Sequence, residues 1–264
     1  MPYVNEQDKI DRHINSFATH SFRDQADRDY IAARLACRAK LMPQFLWASQ
    51  QAIEKYLKAI LLYNRVPAKK VGHDLTAALK LAEKLSKVPF SIDLSARSQK
   101  FIEHLATYGE YRYIDVPYHV SGHVLVDLDL AIWELRRYCQ VLNVFGKKLL
   151  PNEQNLLDAA LADLANSSAQ PRYKFRLHGG FLEEVLGKPK HPSRAALLWQ
   201  NAVYGVRKRA TVRVANHLAG GNTVLYLYPE MLDELLKFIS MPGRLEQGYR
   251  DHLASMKADP SKRP

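Results

Sequence analysis

The feature that most constrains the fold is a helical period of apolar residues, which extends with breaks from about residue 27 to residue 144. Apolar residues that recur every three to four positions lie on one face of an α-helix, whereas a half-buried strand shows a period of two. Amphipathic helices bury their apolar faces against one another. The first half of the chain is therefore predicted to form an up-and-down helical bundle in a mainly α protein.

Five helices are predicted for this bundle. The spacing of apolar residues and the breaks at proline assign them to residues 27–42, 44–64, 74–88, 94–108 and 119–144. Asp27 and Asp74 are expected to cap the first and third helices, because aspartate accepts hydrogen bonds from the free N–H groups of a first turn. The first helix is expected to bury the face formed by Ile31, Ala32, Leu35, Ala36 and Ala39. The second helix has a wide apolar surface and should pack on more than one side.

The chain divides into four predicted segments. Residues 1–26 are polar and expected to pack loosely, residues 27–148 form the bundle, residues 149–171 form a linker helix, and residues 172–258 form a basic C-terminal region. That last region is predicted to be smaller and mostly helical. Its helices are assigned to residues 181–186, 193–206 and 229–239.

A β-hairpin is an alternative for part of the C-terminal region. Polar and apolar residues alternate over residues 172–177, 211–214 and 223–228, as they do in half-exposed strands. Residues 220–222, Gly-Gly-Asn, would form the turn between the last two strands. This order of elements resembles a winged helix, so the region is predicted to be α or α+β.

Charge and cysteine content limit the functional class. The chain of 264 residues has a net charge of +11, and residues 171–264 hold 16 lysines and arginines against 8 acidic residues. This bias indicates a polyanionic partner, most simply nucleic acid, although general solubility explains it as well. No apolar run reaches the roughly 18 residues of a membrane span, and no secretory signal is present at the start. Cys37 and Cys139 are expected to be buried, reduced thiols, as in a cytoplasmic protein.

Four short segments of the first half are typical of one family. They are residues 29–34 (Asp-Tyr-Ile-Ala-Ala-Arg), residues 43–59 with their Gln-Ala-Ile-Glu-Lys-Tyr-Leu-Lys-Ala core, residues 73–75 (His-Asp-Leu), and residues 111–113 (Tyr-Arg-Tyr). With these segments, residues 20–148 resemble a HEPN domain, a small helical bundle found beside prokaryotic nucleotidyltransferases and in many RNase toxins. No comparable resemblance covers the C-terminal region.

The resemblance implies an active site formed by an arginine and a histidine. In catalytic HEPN proteins four to six residues lie between these two, and two subunits bring their pairs together across a dimer interface. Arg112 and His119, with six residues between them, are at the matching place. Two other pairs have similar spacing but different positions. Arg97 and His104 lie within one predicted helix, and Arg172 and His178 lie outside the resembling region.

These residue types suit the cleavage of RNA through its own 2′-hydroxyl. An imidazole with a pKa of about 6.5, such as that of His119, can accept or donate a proton near neutral pH. Arg112 has a permanent planar charge that matches phosphate oxygens. The implied products are a 2′,3′-cyclic phosphate and a 5′-hydroxyl. The reaction requires neither a metal nor another cofactor, and the sequence has no obvious metal-binding cluster.

Several further residues are candidates for a supporting role. Tyr111, Tyr113 and Tyr118 could stack on bases or pack at an interface. Glu54 could orient Arg112 or form a solvated pair on its own helix, and Arg112 could instead form an ion pair with Glu54 or Glu110. Arg207, Lys208 and Arg209 could contact phosphate or only favour the end of a predicted helix.

Three functions therefore remain open. The first is a metal-independent endoribonuclease in a toxin–antitoxin or phage-defence system, acting as a homodimer and controlled by a nucleotidyltransferase or another antitoxin protein. The second is a non-catalytic HEPN module that binds nucleotides or serves as an adaptor for a nucleotidyltransferase. The third is a DNA-binding autoregulator that uses the C-terminal region.

Overall fold

The computed structural model describes residues 6–85, 90–108, 118–144, 151–169, 172–205, 218–220, 224–241 and 243–259. The chain divides into two compact units. The first contains residues 1–110 and 122–214, and the second contains residues 111–121 and 215–264. A short segment between two bundle helices therefore belongs to the same unit as the end of the chain.

In the described ranges, all regular secondary structure of the first unit is helical. Its α-helices are α1 (Glu6–Phe17), α2 (Asp24–Arg38), α3 (Met42–Tyr63), α4 (Leu75–Glu83), α5 (Ala96–Tyr108), α6 (Val124–Arg136), α7 (Pro151–Asn166), α8 (Phe181–Gly187) and α9 (Arg194–Leu198). The second unit is mostly helical as well. The prediction of a mainly α chain with a helical bundle and a smaller, mostly helical C-terminal region is thus confirmed.

Helices α3 and α6 form the centre of the bundle. The apolar residues predicted to widen the surface of α3 are all buried, from Phe45 to Leu61, and α3 contacts α2, α4, α5 and α6. In α6 every residue except Asp127 is buried. A helix that is buried all round needs apolar residues on every side, and the sequence Val-Leu-Val-Asp-Leu-Asp-Leu-Ala-Ile-Trp of α6 supplies them.

Helix α2 buries a different face from the predicted one. Leu35 is 48% exposed, and the buried residues are Asp24, Ala26, Asp27, Tyr30, Ile31, Ala33, Arg34 and Cys37. Asp27 therefore lies inside the helix, and the prediction that it caps the N-terminus is wrong. The hydrophobic pattern misplaces the face because the charged side chains of Asp27 and Arg34 are buried, which requires partners elsewhere in the chain.

The first buried network joins α2, α3, α6 and α8 around Arg136. The Arg136 guanidinium donates to both carboxylate oxygens of Asp27, at 2.7 and 2.9 Å, and to both oxygens of Glu183, at 2.8 and 2.6 Å. The Tyr56 hydroxyl and the Leu182 backbone N–H also donate to Asp27. Burial acts to lower the pKa of Arg136, but the two carboxylates outweigh it and raise that pKa well above its ordinary value.

The second buried network joins α2 and α6 to the segment after α8. Arg34 forms an ion pair with Asp129, and the Tyr30 hydroxyl donates to the same carboxylate at 2.6 Å. Asp129 also accepts from the Ala202 backbone N–H at 2.9 Å. The Asn201 side chain donates to the Tyr30 hydroxyl at 2.9 Å. Residues 181–204 are thereby attached to the bundle, and the predicted boundary at residue 171 does not separate the two compact units.

From Glu6 onwards the polar N-terminal segment is helical, and α1 buries none of its residues. Helix α1 continues through a π-helical turn (Ala18–Arg23) into α2. The Arg65 guanidinium donates to the Asp11 and Asn15 side chains, at 3.1 and 2.9 Å, and Thr19 hydrogen-bonds to the Tyr63 hydroxyl at 2.7 Å. The sequence shows no apolar stripe in this segment, and these polar contacts attach it to the end of α3.

Helix ends follow local chemistry more closely than apolar periodicity. The Asp74 side chain accepts from the Ala77 N–H at 2.9 Å, so the predicted cap of α4 is confirmed. Pro43 does not separate two helices but lies in the first turn of α3, where a missing N–H costs nothing. Helix α6 ends at Arg136 instead of residue 144, because tighter turns follow it through residue 140.

In its described residues, the second unit combines two short strands with three α-helices. Strand β1 (Tyr118–Val120) pairs antiparallel with β2 (Leu218–Gly220), and α10 (Val224–Leu227), α11 (Leu232–Leu235) and α12 (Gly243–Ala258) follow. The core of this unit contains Leu225, Leu232, Leu245 and Tyr249. Helix α12, which the sequence analysis did not predict, contributes two of these four residues.

The alternating segments of the C-terminal region are not strands where they are described. Residues 172–174 form a 3₁₀ turn, and residues 224–227 form the single-turn helix α10. In a single helical turn that buries only Leu225, exposed and buried side chains alternate as they do in a strand. Apolar periodicity therefore cannot distinguish so short a helix from a strand. The predicted hairpin and the winged-helix order are therefore wrong for these residues, while residues 206–217 lie outside the described ranges.

The other C-terminal helices match their predictions to different degrees. Helix α8 confirms the prediction for residues 181–186, and α7 contains the short helix expected before residue 170. In place of the helix predicted for residues 193–206, the structure has the shorter α9. The helix ends early because the carbonyl groups of Ala196 and Trp199 accept hydrogen bonds from the Arg34 guanidinium. The helix predicted for residues 229–239 is a 3₁₀ turn (Pro229–Met231) followed by α11.

Glu183 and Glu184 provide a matched test of the first buried network. Burial acts to raise the pKa of Glu183, but Arg136 outweighs it, so this pKa lies below its ordinary value. At pH 7 we expect Glu183→Gln to reduce the free energy of unfolding by about 3 kcal/mol, the lower end for a broken buried ion pair, because Arg136 keeps Asp27. The measurement is denaturant unfolding at several pH values.

The pH dependence of that difference has a defined sign. A lowered folded-state pKa stabilises the protein above the unfolded-state pKa, and the stabilisation is lost as pH falls through the folded-state pKa. The difference between wild type and Glu183→Gln should therefore shrink below about pH 4.3. Glu184→Gln is the control, because Glu184 is exposed and forms an ion pair with the exposed Lys188. An equal loss of stability in both variants at pH 7 would contradict the network's role.

Candidate functional site

The candidate catalytic segment lies between α5 and α6 in the chain. The backbone of Tyr118 and His119 forms part of β1. Arg112, Tyr111 and Tyr113 lie outside the described residues, as do the three cations predicted to contact phosphate, Arg207, Lys208 and Arg209. The Arg112/His119 site therefore stays a prediction, and the described part of it is the strand at residue 119.

Strand β1 has its partner far away in the sequence. Its three residues pair in antiparallel register with β2, so that Tyr118 lies opposite Gly220, His119 opposite Ala219, and Val120 opposite Leu218. The Val120 side chain is buried. The sequence analysis placed a helix start at residue 119, and this was wrong, since α6 begins five residues later at Val124.

Glu54 is a buried residue of α3 and not part of a solvated pair. Its side chain is 7% exposed and accepts from Lys58 Nζ at 2.6 Å. The Glu54 carboxylate also lies 3.0 Å from Nδ1 of His73. The contact with His73 ties α3 to the loop before α4. Because Arg112 lies outside the described residues, its predicted contact with Glu54 remains a prediction.

The segments that carry the family resemblance meet in the bundle. Asp29, in the first segment, forms an ion pair with Lys55, in the second. Burial raises the pKa of Asp29, although the hydrogen bond and charge of Lys55 act in the opposite direction. His73, from the third segment, bonds Glu54 of the second. These residues therefore hold α2, α3 and the loop before α4 together.

The sequence analysis missed the two buried charge networks, although the chain contains a signal for them. On α2, Asp27 precedes Arg34 by seven positions, and on α6, Asp129 precedes Arg136 by seven. Seven positions correspond to two helical turns, so each pair lies on one helix face. Asp27 binds Arg136 and Arg34 binds Asp129, which requires the two helices to run antiparallel.

The cysteines are free and buried, as predicted. Burial raises the pKa of Cys37 to about 11, and it raises the pKa of Cys139 further above its ordinary value. Reactive cysteines have lowered pKa values and partial exposure. Both thiols are therefore suited to packing and not to nucleophilic chemistry.

The other two arginine–histidine pairs make contacts of their own. Arg97 forms an ion pair with Asp127, and the His104 ring lies 4.8 Å from that of Tyr108 within α5. The Arg172 guanidinium lies over the Trp133 ring at 5.1 Å. These contacts support a structural role for Arg97 and Arg172.

A cavity of about 330 Å³ lies between α1, α7 and the loop at residues 141–144. Its apolar lining includes Leu156 and Leu157. Four of its five charged lining residues form ion pairs, since Arg12 binds Glu153 at 3.0 Å and Arg65 binds Asp11 at 3.1 Å. Among the described residues, no group of three histidine, cysteine, aspartate or glutamate side chains could hold a metal ion.

The bundle of α2 to α6, with its buried α3 and α6, defines an all-helical domain of a known class. Residues 19–127 match the family model of the HEPN domain. The chain therefore contains a HEPN domain, and the match does not extend into the C-terminal region. No curated protein and no solved structure matches the chain significantly. None of the helices in the described ranges is long and apolar enough to cross a membrane.

Glu54 should be required for stability. In Glu54→Gln, the neutral amide keeps the shape but loses the charge that binds Lys58 and His73. We expect the free energy of unfolding to fall by about 1–3 kcal/mol, the usual effect of disrupting a buried hydrogen-bonding group. Glu103→Gln, an exposed change of the same type on α5, is the control and should leave the midpoint of denaturant unfolding unchanged. Wild-type stability in Glu54→Gln would contradict an anchoring role.

Proposed function

We propose that the protein is a metal-independent endoribonuclease of the HEPN type that uses Arg112 and His119. The observation that carries the proposal is the position of this pair. Both residues lie within the HEPN match and between α5 and α6, the junction at which the active members of the family have their arginine and histidine. The contacts of Arg97 and Arg172 with Asp127 and Trp133 also favour Arg112 as the catalytic arginine.

The proposed reaction is an internal transfer of the phosphodiester. The ribose 2′-oxygen attacks phosphorus and loses its proton to one imidazole, while the bond from phosphorus to the 5′-oxygen breaks. A second imidazole protonates that leaving oxygen, which gives a 2′,3′-cyclic phosphate and a 5′-hydroxyl. The guanidinium of Arg112 stabilises the additional negative charge of the phosphorane.

A homodimer supplies the second histidine. One copy of His119 accepts the proton and the other donates it, which suits a two-fold interface in which both subunits contribute the same residues. The dimer would form through the HEPN bundle. Tyr111, Tyr113 and Tyr118 are close in sequence to the pair and could stack on the bases that flank the cut.

The biological setting is proposed to be a toxin–antitoxin or phage-defence system. The basic C-terminal region, including Arg207, Lys208 and Arg209, would bind RNA through its phosphates. A nucleotidyltransferase or another antitoxin protein is the proposed partner. Two buried, free cysteines are typical of a reducing compartment, which supports action in the cytoplasm.

Replacement of His119 tests the proposal. Purified wild type and His119→Ala would be incubated with total RNA in EDTA, and the ends of the fragments analysed. We expect wild type to leave cyclic phosphates and the variant to cleave about 10²- to 10⁴-fold more slowly, the usual contribution of a positioned acid or base. His178→Ala is the matched control, since His178 is exposed and also follows an arginine at similar spacing.

The outcomes separate the candidate functions. Loss of cleavage in His119→Ala, with unchanged thermal unfolding and with activity retained in His178→Ala, is the expected result. Equal cleavage by His119→Ala and wild type would overturn the assignment of the histidine. Tight nucleotide binding without cleavage by wild type would favour the non-catalytic HEPN module instead. Specific binding of duplex DNA without cleavage of RNA would favour the autoregulator.

A further inference from the structure

Strand β1 contains the candidate catalytic histidine and is paired with a strand from the end of the chain. In the described residues the sheet has two strands only, β1 and β2. Each has three residues. A strand of this length has no stability of its own in water, because an isolated two-stranded ribbon is at best marginally stable. The extended conformation at residue 119 therefore depends on what holds β2.

The second unit, to which β2 belongs, also has a helical core. Helix α10 begins four positions after the last residue of β2 and contributes Leu225 to a cluster with Leu232, Leu245 and Tyr249. Each of these four side chains is buried to at least nine-tenths of its surface.

Pairing of β1 with β2 has a consequence for His119. Residues in a paired strand have fixed backbone angles, and these angles set the direction in which each side chain leaves the backbone. Acid–base catalysis is sensitive to such placement, since a displacement of about 1 Å can reduce the rate about 100-fold. A histidine on an unpaired loop would sample many directions instead.

We propose that Leu218–Gly220 is a positioning segment for His119, so that RNA cleavage by the HEPN pair requires the C-terminal unit. Ala219, directly opposite His119, is the central positioning residue. The inference rests on the proposed ribonuclease function and assigns to the C-terminal unit a part in the reaction beyond binding RNA. The segment Leu218–Gly220 acts through the backbone of β1 and contacts no substrate.

Proline substitutions in the full-length protein test this role. In an antiparallel pair, the N–H groups of neighbouring residues point alternately towards and away from the partner strand. Of Leu218→Pro and Ala219→Pro, one variant therefore removes a bond of the ladder and the other serves as its matched control. Hydrogen exchange of the amides of residues 118–120 identifies which variant has lost the pairing.

The cleavage rate should follow the pairing. We expect the variant with faster exchange at residues 118–120 to lose about 100-fold in kcat with little change in KM. The shape of its pH profile should be retained, because the titrating group is still the imidazole. The variant that keeps its protection should cleave like wild type, and Ala219→Val, which suits a strand, should do so as well. A variant that merely unfolds would lose binding and thermal stability together.

Distinct results would overturn the inference. Wild-type kcat in a variant that has lost protection at residues 118–120 would show that the pairing does not position His119. Unchanged protection in both proline variants would refute the dependence of β1 on β2. Where a proline variant does not fold, Leu232→Ala loosens the same core without altering either strand, and it should also reduce both protection and kcat. In Leu232→Ala, an unchanged kcat together with lost protection of residues 118–120 would overturn the positioning role.

The proposed function can fail independently of this inference. Absence of cleavage by wild type, or equal cleavage by wild type and His119→Ala, overturns the ribonuclease assignment and the positioning role with it. Cleavage that His119→Ala abolishes but that loss of β1–β2 pairing leaves intact overturns the positioning role alone.

Discussion

The first unit depends on the buried ion pair between Asp27 and Arg136. Both side chains are almost completely removed from water, and a buried charge without a partner would cost several kcal/mol. Asp27 also accepts from Tyr56 and from the Leu182 backbone, while Arg136 also binds Glu183. This pair therefore sets the relative positions of α2, α3, α6 and α8. Loss of Arg136 would leave the buried Asp27 carboxylate without this opposite charge in the centre of the bundle.

The pair also fixes what the C-terminal part of the chain can do. Glu183 and Leu182 bring α8 onto the bundle, and Asp129 binds the backbone at Ala202. Residues 181–204 are thereby committed to the first unit and are not free to form a separate DNA-binding domain. The residues after 214 form the second unit together with β1. The later half of the chain therefore has two structural roles. Residues 181–204 complete the bundle, and β2 pairs with the strand that contains His119.

The apolar pattern correctly predicted the elements whose buried residues are mainly apolar. The wide buried surface of α3, the helix α5 and the Asp74 cap were all predicted correctly. The face of α2 was not, because Asp27 and Arg34 are buried while Leu35 is exposed. The described residues 172–177 and 224–228 alternate without being strands, since a single turn or an irregular segment can bury every second side chain. The Arg112/His119 site came from the resemblance to a family, and its local geometry remains a prediction.

The sequence by itself determined the helical class of the chain, the HEPN domain, the cap of α4 and the reduced, buried state of the cysteines. These properties depend on residues close together in the sequence or on short motifs. Only the tertiary structure decided which charges are buried and which strand pairs with β1. Asp27 and Arg136 are 109 positions apart in the sequence, and His119 and Ala219 are 100 positions apart. Such contacts form because chain segments distant in sequence satisfy each other's charges and backbone hydrogen bonds, which local periodicity does not encode.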